Sequence, residues 1–307
     1  MYKLGSLHET TIWEDAKIYF PIFTHCGIMD TQYLEGVIIM VQSMNFHTHS
    51  CFCDGKNTPE EIVLYAIDKG FTSIGFSGHG YTPFDLRYCM KDADGYVEEV
   101  SQLKRKYGNK IQIYCGVEED AFSCVNRERF DYIIGSSHYF NIDETYYPID
   151  SNYDYFKKCL EAFNYDVIHL AETYYRSFVS YIASRKPDIV GHFDLITKFD
   201  EIDVQRFLNN SEYLKIAEKY MKQASESDVI FEVNTGAISR GFRKAPYPGE
   251  NLLYILKEKE CKLILSSDSH SVETLSFYFE ETKQLLRDIG FDCVYELDGG
   301  LFKKRFL

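Results

Sequence analysis

Six of the nine histidines in this chain stand where a strand-like run gives way to a loop, and no other feature restricts the fold as much. The first two lie in Met44-Asn45-Phe46-His47-Thr48-His49. Residues two apart on an extended strand point to one side, so both imidazoles converge on one point, a geometry that suits a metal ion. His79 follows the run Thr72 to Phe76, His138 follows Asp131 to Gly135, His192 follows Asp188 to Gly191, and His270 follows Lys262 to Leu265. Two more runs, Ile111 to Val117 and Val229 to Val233, end in Glu118-Glu119-Asp120 and Asn234-Thr235-Gly236. One histidine near a strand end is usually a polar surface group. Six of them point to a shared metal site.

Between the runs the sequence reads as helix. Thr58-Pro59-Glu60-Glu61 has the pattern of a capping box with proline in the first turn, Ile62, Val63, Ala66 and Ile67 form an apolar stripe, and Gly70 stops it. Further helical stretches are expected over about 95–107, 153–163, 166–184, 211–226, 250–259 and 272–289. Seven strand-like runs, most followed by a helix, imply a parallel sheet with covering helices. An open doubly wound sheet gathers its site at one switch point, with few strands contributing. A closed β/α barrel gathers the C-terminal ends of all its strands at one mouth. Contributions from six separate runs favour the barrel.

A chain of 307 residues with 45% hydrophobic and 16% aromatic content can bury a full core. Its net charge of −14 argues against a general nucleic-acid or anionic-membrane binder, which needs basic surface, so an anionic substrate must meet local cations or metals. Nine cysteines without pairing rhythm read as reduced thiols and a cytoplasmic protein. No stretch reaches the length of a membrane span, and the apolar run Gly36 to Val41 lacks the basic flank of a signal peptide. Residues 1–43 carry little periodicity and are read as an N-terminal extension of uncertain status, with the catalytic domain over 44–307.

Asp268 stands two residues before His270, after an apolar run where an unpaired carboxylate would be costly, and is read as a ligand. Glu118 is in phase with the inward residues before it and is preferred over Glu119, which is assigned to the surface. Asp54, in the loop after His49, is the third carboxylate, against the alternative of a turn-forming aspartate before Gly55. Six imidazoles and three carboxylates are too many for one tetrahedral zinc and fit two or three ions. The ligand mix suits zinc, iron or manganese and is too rich in nitrogen for magnesium or calcium. Such clusters catalyse displacement at phosphorus.

The ordered series Phe46-His47-Thr48-His49, Cys53-Asp54-Gly55-Lys56, Gly75-Phe76-Ser77-Gly78-His79, Gly116-Val117-Glu118, Gly135-Ser136-Ser137-His138, Gly191-His192-Phe193-Asp194 and Ser267-Asp268-Ser269-His270 resembles the PHP (polymerase and histidinol phosphatase) superfamily and, within it, the histidinol-phosphatase family. It extends over about residues 44–296. The resemblance implies a distorted (β/α)7 TIM-like barrel, a trinuclear metal centre at the C-terminal ends of the strands, and hydrolysis of L-histidinol phosphate in histidine biosynthesis. It also implies that His47, His49, Glu118 and Asp268 hold one metal, Glu118, His138 and His192 a second, and Asp54, His79 and His270 a third. The departures are the N-terminal extension and the cysteines Cys51 and Cys53, which are not ligands in the family pattern.

A phosphomonoester also needs cations. Arg240 and Arg243 follow the Asn234-Thr235 motif and can fork onto phosphate oxygens, and the family's use of an arginine after that motif supports Arg240. Arg87 and Arg176 are further candidates. The expected enzyme is a phosphomonoesterase with His192, Asp268 and Arg240 in its catalytic machinery, and a metal-bound water, Asp194 or His192 as the source of the proton for the leaving group. Its alternatives are a phosphoesterase of the same superfamily acting on nucleotides or other small phosphomonoesters, and a non-catalytic metal-dependent binding module.

Overall fold

The alternation of strand and helix legible in the sequence sets the architecture. The computed structural model describes residues 44–307 and, upstream of them, the backbone of two antiparallel strands, β1 (Thr31–Leu34) and β2 (Val37–Met40). Apart from that pair, the expectation for residues 1–43 lies outside the described residues. The barrel begins with β3 (Met44–Asn45), α1 (Pro59–Asp68), β4 (Ser73–Phe76), α2 (Ala93–Tyr107), β5 (Gln112–Asp120) and β6 (Tyr132–Ser136). A hairpin of β7 (Tyr139–Ile142) and β8 (Thr145–Pro148) and the helices α3 (Tyr153–Ala162) and α4 (Val167–Arg185) follow. The chain then runs through β9 (Ile189–Val190), α5 (Ser211–Ala224), β10 (Ile230–Asn234), the single turn α6 (Gly236–Ser239), α7 (Glu250–Glu258), β11 (Lys262–Ser266) and α8 (Phe279–Ile289). It ends in the hairpin β12 (Cys293–Asp298) and β13 (Leu301–Phe306).

Seven parallel strands pair in the order β11-β10-β9-β6-β5-β4-β3. Just past the ends of β3 and β11 the circle nearly closes: the His49 amide donates to the Ser269 carbonyl at 2.8 Å and the Ser269 amide to the His47 carbonyl at 3.0 Å. The fold is thus a distorted seven-stranded β/α barrel, as expected. Local sequence explains its helices. Thr58 Oγ1 accepts from the Glu61 amide at 3.3 Å and Glu61 Oε2 accepts from the Thr58 amide at 2.8 Å, closing the capping box ahead of α1. Gly70, at φ +74°, ends that helix in the left-handed region a side chain would strain.

Inside the barrel the strands alternate. Tyr114, Ile134, Ile189, Ile230 and Ile264 pack with Met44, Phe46 and Tyr132 as a floor, and Leu297 of the C-terminal hairpin plugs it from below. Tyr132 fills the centre, its hydroxyl donating to the Phe46 carbonyl at 2.6 Å. A methyl group on Gly75 or Gly116 would come within 2.3 Å of the Tyr132 side chain, so only glycine leaves it room. Outside, Phe231, Val233, Leu263 and Leu265 face α4, α5 and α7 in the main core.

Three elements depart from the sequence expectation. The hairpin β7–β8 turns on Asp143 and Glu144, both at positive φ, without the glycine that would have marked it. The final hairpin was not legible as strand. The helix expected over 272–289 is broken into a short turn at Val272–Thr274 and α8, because Tyr278 takes a left-handed conformation at φ 64°.

Candidate metal centre

Because strand residues alternate, the inward column of β5 that begins at Tyr114 continues through Gly116 to Glu118 and Asp120, while Glu119 points out. Glu118 stands at the centre of the mouth. Its Oε2 lies 2.9 Å from His79 Nδ1, 3.3 Å from His47 Nε2 and 3.5 Å from His49 Nε2. Its Oε1 lies 3.0 Å from His192 Nε2 and 3.2 Å from His138 Nε2, and accepts from Ser136 Oγ at 2.6 Å. One carboxylate thus touches five imidazoles. Glu119 is not on the surface as expected: it is fully buried beneath α4, where Arg185 Nε bonds both its oxygens at 2.9 and 3.0 Å.

On the opposite side Asp268 Oδ1 lies 3.2 Å from His49 Nε2 and 3.7 Å from His47 Nε2. Its backbone sits at φ 48°, a strained conformation for a residue with a side chain, held by the barrel closure next to it. Asp54 faces His270 Nε2 at 3.4 Å and both His79 Nε2 and His49 Nδ1 at 3.7 Å. The nine expected ligands therefore converge. Their donor atoms fall into four overlapping groups, each within 4.8 Å: His49, Asp54, His79 and His270; His47, Glu118 and His192; His47, His49 and Asp268; and His79, Glu118 and His138.

Two observations test whether these residues suit metal ions. His47 Nε2, His49 Nε2 and Glu118 Oε2 are buried and face one another without a properly directed hydrogen bond, which an apolar interior does not tolerate unless something else satisfies them. The electrostatics agree. Burial disfavours the charged ring of His47, but Glu232, Glu118 and Asp268 outweigh it and raise its pKa well above the ordinary value; for His138, Glu118 and Asp120 do the same. Burial and the neighbouring rings of His270 and His79 push His49 down to about 3. Against burial, His47, His138 and His79 hold Glu118 well below the carboxylate range, and Arg240 and His47 do so for Asp268. Ionised carboxylates beside buried imidazoles form a donor set for divalent cations of the zinc type.

The PHP domain family matches residues 45–236, more than half of the chain. The chain belongs to the PHP domain family. Asp268 and His270 lie beyond the matched span of the PHP domain and join it through the barrel closure at Ser269. The chain is 28% identical to the "Probable histidinol-phosphatase" of Schizosaccharomyces pombe, over 83% of this chain and 89% of that one. It is 26% identical to the histidinol-phosphatase of Bacillus subtilis, over 78% and 98%. The crystal structure of histidinol phosphate phosphatase from Lactococcus lactis, complexed with zinc, L-histidinol and phosphate, superposes with a TM-score of 0.65 at 20% identity, over 85% of this chain and 98% of that one. The resemblance read from the motifs and the barrel architecture are both borne out.

The mouth of the PHP domain opens into a cavity of about 340 Å³. Arg240 lines it, its Nη2 2.8 Å from Asp268 Oδ2 and its Nη1 donating to the Asp268 carbonyl at 3.0 Å. The other expected cations fare differently. Arg87 reaches the cavity, but Asp85 accepts from its Nε at 2.8 Å and also binds its Nη2, and Tyr155 covers the other end, so its charge is already matched. Arg243 is buried behind the site, donating to Thr197 Oγ1 at 2.8 Å and stacked on Tyr247. Arg176 lies in a separate surface groove with Ser177 and Ser180 on α4. Asp194, expected as one of the alternative proton sources, instead accepts from the Gly249 amide at 3.0 Å and pairs with Arg243, while His192 faces the cavity.

Sequence reading missed Lys198, which lines the cavity, buried to 8% exposure, its ammonium donating to the Asp150 carbonyl at 2.6 Å and standing 3.4 Å from Asp150 Oδ2. It also missed Asp120, whose Oδ2 accepts from the His138 amide at 2.8 Å and lies 3.2 Å from His138 Nδ1, and Glu232, in contact with His47. A carboxylate inside the apolar run Val229 to Val233 was the available signal for Glu232.

Proposed function

We propose that this protein is a metal-dependent phosphomonoesterase that hydrolyses L-histidinol phosphate to L-histidinol and phosphate. The observation that carries the reading is the convergence of six imidazoles and three carboxylates, with buried donor atoms left unpaired, on the floor of a cavity whose wall holds Arg240 and Lys198. The names of its relatives support the choice of substrate.

His47, His49, Glu118 and Asp268 would hold one ion, Glu118, His138 and His192 a second, and Asp54, His79 and His270 a third; the ions are zinc, manganese or iron. When bound, such ions supply an activated water and neutralise phosphoryl charge. The chain's own groups do the rest. Arg240, fixed by Asp268, donates to one phosphoryl oxygen, and the Lys198 ammonium, oriented by Asp150, donates to another. Both contacts strengthen as charge accumulates on the oxygens during in-line displacement. The amine of histidinol is cationic, and the Asp150 carboxylate on the same cavity wall, shared with Lys198, supplies complementary charge. All cysteines among the described residues are free thiols, which supports a reducing, cytoplasmic setting. Among the described residues no helix is long and apolar enough to cross a membrane.

The test is phosphate release from L-histidinol phosphate, a nucleoside monophosphate and a generic phosphomonoester, with metal stripped and then restored as zinc, manganese or iron. Preference for histidinol phosphate that disappears on chelation is expected. Equal turnover of the nucleotide would keep the metal chemistry and discard the substrate.

A further inference from the structure

We propose that Glu232, a buried carboxylate one layer beneath the candidate metal centre, is a positioning residue that sets the ring of His47 and the backbone of His192 for metal binding. The inference rests on the metal-dependent reading above and adds a residue to it. Glu232 lies in β10, in phase with the inward Ile230, so it points into the barrel interior. It is 1% exposed. Its Oε1 stands 2.5 Å from His47 Nδ1 and also accepts from Ser266 Oγ. Its Oε2 accepts from the His192 amide at 2.8 Å and from Asn234 Nδ2 at 2.9 Å.

An ionised carboxylate only accepts, so His47 Nδ1 carries a proton, and Nε2 is the nitrogen turned toward Glu118 and Asp268 and open to a metal. Nε2 is also the atom left without a hydrogen bond. One side chain thereby fixes the rotation of the His47 ring just after β3, the backbone that carries His192 after β9, and hydroxyl and amide groups from β11 and β10. Outer carboxylates of this kind orient metal-binding imidazoles and raise their basicity. A buried charge with four donors and no path to substrate has no other evident use, since a hydrophobic residue would fill the floor at lower desolvation cost.

Glu232→Gln keeps the shape and replaces one accepting oxygen by an amide that meets donors. Glu232→Asp keeps the charge and shortens the reach. The experiment compares both with the parent protein by zinc titration without substrate, by metal content after dialysis and by the visible spectrum of the cobalt-substituted protein, with circular dichroism and thermal unfolding of the metal-free forms as the control for folding. The glutamine variant is expected to fold, to bind zinc roughly 10- to 100-fold more weakly and to show an altered cobalt spectrum. Excess metal should restore part of its turnover, and the aspartate variant should fall between it and the parent. Unchanged zinc affinity and cobalt spectrum in the glutamine variant would overturn the proposal. So would a pair of variants that both fail to fold without metal, since Glu232 would then serve the barrel alone. If the parent protein itself bound no zinc, the metal-dependent reading would fail first, independently of Glu232.

Discussion

At the scale of single residues, the metal-site candidates were legible because six imidazoles repeat at strand ends, which chance placement does not give, and because the two-residue period of a strand separates Glu118 from Glu119. The cations were not. A lysine or arginine reveals nothing about its partner until the fold is known, so only the family resemblance set Arg240 above Arg243, Arg87 and Arg176, and Lys198 did not stand out. Each of the three cations in the cavity has a carboxylate partner, and the structure separates them by depth: the Arg87 side chain is 53% exposed, against 29% for Arg240 and 10% for Lys198. A charge-assisted hydrogen bond contributes about 1.5–3 kcal/mol, or roughly 10- to 100-fold. Arg240→Gln should therefore lower kcat/KM for histidinol phosphate by that factor, and Lys198→Met by a comparable one. Arg176→Gln, in the distant groove on α4, should leave it unchanged. Steady-state kinetics on the three variants checks the ranking, and a loss confined to Arg176→Gln would reverse the assignment.

At the scale of elements, the strands and most helices followed from periodicity and capping, since the barrel buries each strand on both faces and each helix on one. The first hairpin escaped because its turn on Asp143 and Glu144 lacks glycine, and the last because, despite the Gly299-Gly300 turn, its strands are mixed in polarity and partly exposed. The C-terminal one nevertheless closes the barrel floor. Leu297 is 2% exposed among Met44, Phe46, Tyr132 and Ile230, and the Gly299 amide donates to Gln112 Oε1 at 3.0 Å, tying the hairpin's turn to β5. Truncating a fully buried leucine destabilises a core by about 2–5 kcal/mol. Leu297→Ala should lower the unfolding free energy by that amount, read as a lower urea midpoint at unchanged slope, while leaving kcat per folded molecule intact, because the floor and the mouth are at opposite ends of the barrel. A fall in kcat with an unchanged midpoint would mean that the hairpin acts on the site directly.

At the scale of the whole molecule, the chain places its negative charge so that a cation is required at the mouth, and the protonation of the site follows from that. In the metal-free protein the carboxylates raise His47 and His138 well above the ordinary histidine value, so at neutral pH both rings carry protons that a metal must displace. Glu118 and Asp268 are held well below the carboxylate range and stay ionised, so they do not compete with the metal near neutrality. The sign for stability follows. A raised histidine pKa stabilises the metal-free fold fully below its unfolded value of about 6.5, and that stabilisation is lost as the pH climbs through the folded value. The depressed carboxylates contribute above their ordinary range, and that contribution is lost only as the pH falls well below it. Between about pH 6 and about pH 8 the metal-free protein should thus lose stability while the apparent zinc affinity rises, because fewer protons remain to be displaced. Calorimetric zinc titration in two buffers of different ionisation enthalpy should show net proton release, and the gap in Tm between zinc-loaded and metal-free protein should widen with pH. A pH-independent affinity with no proton release would mean that the rings are already neutral before the metal arrives, and that the carboxylates at the mouth do not govern their charge.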